Sequence, residues 1–504
     1  MTQKSSFDRL LEQVYEIHDL DKAGSLLRWD RQVNMPPGGN LARTQQMTTL
    51  SRIRHNTFTN DKMGDLIEAA ADELNGAGYD SKEASLVRQM RYQYEKERKL
   101  PSEFVERVTK ISNDAQNAWE KAREENDFSI FEPWLEKVIG LNQETAEYYG
   151  YDGEKYDALL DDYERDAKTA DVRATFDAAK EALIPLREAI SERVDSIDDS
   201  LLYRHYDVDK QKEFARHIAK AVGYDFSRGH LGTAVHPFAT SFSRDDARIT
   251  ARWYENYLAP SLFGTLHESG HAMYEQGTHP DLARTPLARG TSSGVHESQS
   301  RMIENVVGRS YGFWRRHFPR LQETFPDQLG GETAESFHKA VNKVQPSLIR
   351  VEADEVTYNL HIMLRFELEQ AMLNDDLKAA DLPGAWNEKM EALIGVVPPT
   401  DSEGCLQDIH WSSPSFGYFP TYALGNLYAA QFFEAALEQN PAIAEEYEDG
   451  RTESLMAWLR ENVHQHGSKY TPNELVLRAT GKPLSHEAFG RYIWKKFSEL
   501  YDLE

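Results

Sequence analysis

The 504-residue sequence lacks several features that would place it in other classes of protein. Its single cysteine, Cys405, excludes an intrachain disulfide and a thiolate zinc site, so a reducing compartment is expected. No segment approaches the roughly 20 consecutive apolar residues of a membrane helix, and residues 1–10 have no signal-peptide-like apolar run. These absences predict a cytoplasmic protein without a membrane partner.

Positive charge is also scarce. The 57 Lys and Arg residues are outnumbered by 83 Asp and Glu residues, which gives a formal net charge of −26. Such a surface repels the phosphates of nucleic acids and of anionic membranes, so no nucleic-acid partner is expected. The hydrophobic fraction of 40% and the aromatic fraction of 11% are typical of an ordered globular protein.

Helix-forming residues dominate most of the sequence. Residues 41–163 are rich in Glu, Lys, Arg, Ala and Gln, and the chain after residue 290 has a similar character. Only residues 223–254 differ, because Ile249, Ala251 and Trp253 alternate with polar residues and predict a small β-sheet. No long linker or repeat divides the chain, so we expect a single, mainly α domain over residues 1–504.

The segment His267-Glu268-Ser269-Gly270-His271 carries the pattern H-E-x-x-H. Residues 261–277 contain no proline and end at a glycine, as expected of a helix. On a helix, positions i and i+4 lie one above the other, so both histidines can bind one ion while Glu268 flanks it. The pattern predicts a zinc site with its own general base.

A catalytic zinc ion usually takes three protein ligands, so a third donor is needed. Glu297, in His296-Glu297-Ser298-Gln299, is the best candidate, and Glu304 is the alternative ligand or an outer partner. Glu268 would then deprotonate a zinc-bound water and pass the proton to a leaving amine. The predicted reaction is hydrolysis of a peptide or another amide.

A second polar group falls on a helix predicted for about residues 351–373. Arg350, Asp354, Tyr358 and His361 would share one face, which would be either solvent-exposed or the lining of a wet cleft. The planar guanidinium of Arg350 is suited to gripping a carboxylate in a bidentate pair.

Two further stretches, residues 404–411 and 417–426, have loop-like sequences rich in aromatic and hydrogen-bonding residues. Gln407 and Asp408 in the first stretch are candidates for substrate binding. Either His410 or Tyr422 could stabilise the oxyanion of a tetrahedral intermediate, and the sequence does not choose between them. Cys405 is expected to be a packed residue rather than a nucleophile.

Together these motifs resemble those of the M32 family of metallocarboxypeptidases, the thermostable Taq-type carboxypeptidases, nearly from end to end. The motifs are Trp29-Asp30 with Met35-Pro36, His236-Pro237-Phe238, Asp246-Ala247-Arg248-Ile249-Thr250, the H-E-x-x-H segment, His296-Glu297-Ser298-Gln299, Ile349-Arg350 with Ala353-Asp354-Glu355, Tyr358-Asn359-Leu360-His361, residues 404–411, and Thr480-Gly481-Lys482-Pro483-Leu484.

The resemblance implies an exopeptidase that removes single C-terminal amino acids with broad specificity. It implies one Zn²⁺ per chain, replaceable by Co²⁺, a deep groove beside a small sheet, and a homodimer. The N-terminal helices, about residues 1–75, are expected to cap that groove.

The same resemblance assigns roles to residues. The residues matching family motifs are His267, His271 and Glu297 as metal ligands, Glu268 as the base, Arg350 as the anchor of the substrate's terminal carboxylate, and His236, Asp246, Arg248 and Thr250 as substrate-end recognition residues.

Two alternatives stay open from the residues themselves. A helical zinc oligopeptidase or dipeptidyl carboxypeptidase could use the same H-E-x-x-H segment and a distant glutamate. An inactive helical scaffold is the remote alternative, and it would bind no metal. Substrates blocked as C-terminal amides separate a carboxypeptidase from an endopeptidase.

Overall fold

A computed structural model describes residues 4–503, which form 21 α-helices and one three-stranded sheet. The helices are α1 Ser6–Val33, α2 Asn40–Thr59, α3 Asp61–Glu73, α4 Lys82–Lys99, α5 Ser102–Glu125, α6 Glu132–Tyr149, α7 Lys155–Leu160, α8 Thr169–Ser191, α9 Val208–Ala221, α10 Ala259–Gly277, α11 Ser293–Arg301, α12 Tyr311–Thr324, α13 Pro326–Leu329, α14 Ala334–Val341, α15 Tyr358–Leu373, α16 Leu382–Leu393, α17 Pro420–Gln439, α18 Ala442–Glu448, α19 Glu453–Asn462, α20 Pro472–Thr480 and α21 Glu487–Tyr501. The strands are β1 Leu231–Thr233, β2 Ala239–Ser243 and β3 Asp246–Ala251.

The predicted mainly α fold with a small sheet is therefore confirmed. None of the helices between residues 4 and 503 combines the length and the apolar character that a membrane crossing requires.

The apolar residues form two clusters. The larger one runs through the helices from α5 onward and encloses α10, α15 and α17. The smaller one is contributed mainly by α1 to α4 and closes over Leu282 and Leu287, which lie between α10 and α11. The N-terminal helices thus have a core of their own next to the region of the H-E-x-x-H segment, and their role as a cap stays a prediction.

The sheet has the order β1-β3-β2, with β3 in the centre. β3 runs parallel to β1 and antiparallel to β2, and Ile249 pairs with Leu231 on one side and Ala239 on the other. Ala247, Ile249 and Ala251 are buried, and the central strand packs against α10. The sheet lies beside the H-E-x-x-H helix, as predicted.

Helix α10 begins at Ala259, with Pro260 in its first turn, and ends at Gly277, close to the predicted bounds. Its glycine within the motif, Gly270, lies against the backbone of α11. A Cβ atom at this position would overlap the carbonyl of Gln299 and lie 2.6 Å from Ser300 Cα. Glycine at this position therefore allows α10 and α11 to approach closely.

Two predicted boundaries are wrong. The helix expected from about residue 351 begins at Tyr358, and Arg350 lies in a separate 3-10 turn, Arg350–Glu352. The cause is Asp354, whose Oδ1 accepts hydrogen bonds from the backbone amides of Val356 and Thr357, both 2.9 Å, in a turn that precedes the helix.

The stretch 417–426, expected to be a loop, becomes helical at Pro420. The ring of this proline fixes a helical φ at the first position of α17. Tyr422 therefore projects from a helix rather than from a loop.

We predict that Gly270→Ala lowers the free energy of unfolding by about 1–3 kcal/mol, because the new methyl group forces α10 and α11 apart. Gly384→Ala, at an exposed position of α16, is the matched control, since its Cβ meets nothing within 4 Å. The control should instead stabilise the protein by about 0.5–1 kcal/mol. Urea unfolding of both variants tests this, and equal responses would contradict it.

Candidate metal centre and active-site cleft

Three side chains converge where α10 meets α11. One ligand atom from each of His267, His271 and Glu297 lies within 4.8 Å of the others. Glu297 Oε2 is 3.3 Å from His271 Nε2 and 3.7 Å from His267 Nε2. Donors bonded to one tetrahedral zinc ion at about 2.1 Å lie about 3.4 Å apart, so two nitrogens and one oxygen fit such an ion.

The outward nitrogen of each imidazole is also engaged. His267 Nδ1 is 2.8 Å from Glu304 Oε2, so Glu304 is an outer partner of His267 in this arrangement. His271 Nδ1 is 2.6 Å from His296 Nδ1, and His296 Nε2 is 2.9 Å from Glu275 Oε1. These partners fix both rings with Nε2 directed toward Glu297.

Arg301 binds the two carboxylates of this cluster. Its Nε donates to Glu297 Oε1 at 2.7 Å, and its Nη1 donates to Glu304 Oε2 at 3.1 Å. The first bond leaves Glu297 Oε2 to face the histidines. Glu304 lies in a π-helix, Met302–Val307, whose wider turn is common at functional sites. Sequence reasoning missed Arg301, although its position four residues after Glu297 on one helix could have identified it.

The electrostatics of the cluster favour a cation. Burial lowers the pKa of His267, but Glu297 and Glu304 raise it to about 9. Burial opposes ionisation of Glu297, yet Arg301 and His267 hold its pKa well below the usual range. Burial, together with the charges of Glu297 and Glu304, raises the pKa of Glu268 to about 7 against the opposing charge of His267. The carboxylates of Glu268, Glu297 and Glu304 outnumber the guanidinium of Arg301, and a bound metal ion would balance this excess of negative charge.

Glu268 faces a cavity of about 540 Å³ together with His267, His271 and Glu297. Only 6% of Glu268 is exposed. No donor between residues 4 and 503 hydrogen-bonds to its carboxylate, whereas Glu297 and Glu304 are both held by Arg301. Glu268 is therefore free to exchange a proton with a molecule in the cavity.

The sheet supplies one wall of this cavity. Phe238, the residue before β2, and Ser241, within β2, line it. Thr250 is buried and holds that wall, because its Oγ1 donates to the carbonyl of Phe238 at 3.1 Å and accepts from the amide of Phe238 at 2.9 Å. His236, two residues before Phe238, is exposed and does not line the cavity.

Asp246 and Arg248 bind each other rather than the cavity. Their two hydrogen bonds are both 2.8 Å long. The guanidinium of Arg248 also lies 4.7 Å from the ring of Trp29, which connects β3 to α1. Of the four residues predicted to recognise the substrate end, none is among the cavity-lining residues.

Arg350 is buried in an ionic group behind the cavity. Its Nη2 donates to Asp408 Oδ1 at 2.8 Å, while Arg365 binds Asp408 Oδ2 at 2.6 Å. Gln407 Oε1 accepts from the backbone amide of Arg350 and from Arg365 Nη2. Two guanidinium groups share one carboxylate, so the group has one uncompensated positive charge. Sequence reasoning missed Arg365, which lies four residues after His361 on α15.

The aromatic residues connect this group to the cavity. Tyr422 lines the cavity, and the guanidinium of Arg350 lies 5.0 Å from its ring. Tyr358 accepts a hydrogen bond of 3.3 Å from Arg350 Nη1. His410 lies behind, with Nε2 3.5 Å from the hydroxyl of Tyr422. His361 is fully buried with Nε2 3.0 Å from the carbonyl of Ser347, so it does not face the cleft.

Comparisons with known proteins agree with this site. Residues 9–497 match the family model described as carboxypeptidase Taq (M32) metallopeptidase. The chain is 41% identical to thermostable carboxypeptidase 1 of Thermus thermophilus, with 99% of this chain and all of that protein covered. It is 38% identical to carboxypeptidase 1 of Bacillus subtilis, with 99% of each covered.

A solved structure gives the same result. The M32 carboxypeptidase from Deinococcus radiodurans R1 superposes with a TM-score of 0.96 at 38% identity, and the match covers 99% of each chain.

We predict that Glu297→Ala and Glu304→Ala affect metal binding differently. Loss of Glu297 removes a ligand oxygen, so metal content should fall well below one ion per chain. Loss of Glu304 removes only the partner of His267, so affinity should fall about 10–100-fold while saturating metal still fills the site. Equilibrium dialysis with elemental analysis measures both.

The surface variant Glu323→Ala, which loses only an exposed partner of Arg320, is the matched control and should bind metal normally. Full metal content in Glu297→Ala together with none in Glu304→Ala would mean that Glu304 is the metal ligand and that Glu297 is not.

Proposed function

The chain belongs to the M32 family of metallocarboxypeptidases, and from that membership we propose roles for its active-site residues. The protein is an exopeptidase hydrolase that releases C-terminal residues from peptides. The observation that supports the proposed roles most directly is the convergence of His267, His271 and Glu297 beside Glu268, to which no donor within residues 4–503 hydrogen-bonds.

We propose one zinc ion per chain, held by His267, His271 and Glu297. Two imidazole nitrogens and one carboxylate oxygen are the donor set of many catalytic zinc sites, and Co²⁺ suits the same donors. The bound ion would supply Lewis-acid chemistry, lowering the pKa of a water molecule and polarising the scissile carbonyl.

Glu268 acts as the general base and acid. Its carboxylate takes a proton from the attacking water, and it returns that proton to the nitrogen of the leaving amino acid. The absence of competing hydrogen bonds within residues 4–503 and its place in the cavity wall support this role.

Arg350 anchors the terminal carboxylate of the substrate. The uncompensated charge shared by Arg350, Arg365 and Asp408 favours an anion nearby, and burial strengthens that attraction. Because Asp408 already occupies Nε and Nη2 of Arg350, the remaining Nη1 beside Tyr358 is the donor that would reach the substrate.

Tyr422 is the better candidate for stabilising the oxyanion. Its hydroxyl belongs to a residue of the cavity wall, whereas His410 lies behind it. Burial raises the pKa of Tyr422 well above its ordinary value, so the hydroxyl keeps the proton that it would donate. His236, Asp246, Arg248 and Thr250 would act indirectly, by shaping the sheet and its approach.

The homodimer, the cytoplasmic location and the N-terminal cap stay predictions. An oligopeptidase or dipeptidyl carboxypeptidase is the alternative that shares the metal chemistry. It differs in not requiring a free carboxylate one residue beyond the scissile bond.

We predict that Glu268→Gln keeps the metal but lowers kcat about 10²–10⁴-fold, because an amide cannot accept the proton of the attacking water. Metal content by elemental analysis and release of amino acid by mass spectrometry measure the two effects separately. Undiminished turnover in a metal-loaded Glu268→Gln protein would falsify the role of this residue.

We also predict that amidation of the substrate's C-terminus abolishes most activity. Arg350→Ala should remove this discrimination between free-acid and amidated peptides. In the variant, kcat/KM for the free-acid peptide should fall about 10–150-fold while that for the amide changes little. Circular dichroism establishes that the variant is folded. A large preference for the free acid that survives in folded Arg350→Ala would assign the anchor to another residue.

A further inference from the structure

A second cavity, of about 360 Å³, adjoins the one that contains the metal ligands. The two share Lys22 from α1 and Arg289 from the segment before α11, so they are neighbours in the cleft. Arg28 and Arg54 also line the second cavity, which therefore has four basic side chains and a single carboxylate, that of Asp21. This is unusual in a chain with a net charge of −26.

Three of these cations have no acidic partner in the part of the chain that the structure describes. Arg54 is neutralised, since it binds Glu97 at 2.7 Å and Asp21 at 3.2 Å. Within residues 4–503, by contrast, no carboxylate comes within 4.0 Å of Lys22, Arg28 or Arg289.

Their other contacts are neutral. Lys22 Nζ donates to the carbonyl of Ser241 at 2.8 Å, and Arg28 Nη2 donates to the hydroxyl of Ser25 at 2.9 Å. The three cations also influence one another. Burial lowers the pKa of Lys22, Glu275 opposes that effect, and Arg289 and Arg28 lower it further.

The metal ligands link Arg350 to the segment that carries Arg289. A continuous series of contacts connects the two. The first contacts are Arg350 to Tyr358 (3.3 Å), Tyr358 to Arg301 (4.1 Å from ring centre to guanidinium) and Arg301 to Glu297 (2.7 Å). From Glu297 the contacts continue to His271 (3.3 Å), from His271 to His296 (2.6 Å) and from His296 to Glu275 (2.9 Å). Glu275 in turn accepts from the amide of Gly290 (3.1 Å), the residue after Arg289.

A peptide anchored by its terminal carboxylate at Arg350 and cleaved at the metal centre would therefore extend its upstream residues toward Lys22 and Arg289. We propose that Lys22, Arg28 and Arg289 form a subsite for acidic side chains upstream of the scissile bond, so that the enzyme prefers peptides with Asp or Glu there. This inference rests on the proposed anchoring at Arg350.

The physical basis is charge complementarity in a partly enclosed cleft. An upstream carboxylate would gain attraction from cations that lack an acidic partner within residues 4–503, without having to break an existing ion pair. A lysine at the same substrate position would be repelled. Because part of the cleft is solvated, added salt should weaken the effect, as the Debye length falls from about 10 Å at 0.1 M to about 3 Å at 1 M.

The test uses N-acetylated hexapeptides that share one C-terminal residue and carry either Glu or Gln at one upstream position, scanned over three positions. With the metal-loaded full-length protein, we expect kcat/KM to be about threefold to tenfold higher for the Glu peptide at one or more positions. The ratio should decrease toward one in 1 M salt. In Arg289→Gln the ratio should also decrease.

Arg316→Gln is the matched control. Arg316 lies on α12, lines neither cavity and is exposed, so this substitution removes the same net charge from another surface. It should leave the Glu-to-Gln ratio at the wild-type value. An equal decrease in both variants would assign the preference to overall charge and overturn the subsite.

Failure of this inference is distinguishable from failure of the proposed function. If the wild-type protein releases the C-terminal residue from the Gln and the Glu peptides with equal kcat/KM at every position, the acidic subsite is wrong and the carboxypeptidase mechanism stands. If it releases nothing from any peptide with a free C-terminus, the proposed function itself is wrong. A preference unchanged in Arg289→Gln would also overturn the subsite.

Discussion

The active site depends on the close packing of three helices. Gly270 on α10 lies directly against the backbone of α11, and Gly425 on α17 lies against Glu297, where an added Cβ would be 2.7 Å from Glu297 Cβ. Larger side chains at either position would separate the helices and move the carboxylate away from His267 and His271. The metal centre is therefore a consequence of helix packing as much as of its ligands.

Charge balance is the second constraint on this site. Burial penalises each carboxylate, and the structure offsets that penalty with specific partners. Arg301 binds both Glu297 and Glu304, and these interactions leave one oxygen of Glu297 facing the imidazoles. Glu268 has no such partner within residues 4–503, in contrast to Glu297 and Glu304.

The cleft also has a charge pattern along its length. At one end, Arg350 and Arg365 share Asp408, which leaves one positive charge close to the wall formed by Tyr422. At the other end, Lys22 and Arg289 line the cavity. Contacts through the metal ligands connect these two groups. A substrate with negative charges on both sides of the scissile bond would complement this arrangement. The acidic exterior of the protein would attract such a substrate much less.

The sequence by itself predicted the candidate metal-binding group of His267, His271 and Glu297, and it determined the general fold. The i, i+4 spacing of His267 and His271 is a property of any helix, so it could be interpreted without tertiary information. The same local reasoning found the small sheet and the helix that carries the motif.

Only the tertiary structure decided which of the distant residues meet. Arg350 is separated from the helix of Tyr358 by a turn around Asp354, and His361 is directed into the core rather than the cleft. Arg365 binds Asp408, which lies on another element, and Arg289 has no acidic partner within residues 4–503, so neither role could be identified from a linear pattern. Arg301, by contrast, lies four residues after Glu297 on the same helix. Contacts between residues far apart in sequence depend on how the helices pack, and a local pattern does not determine that packing.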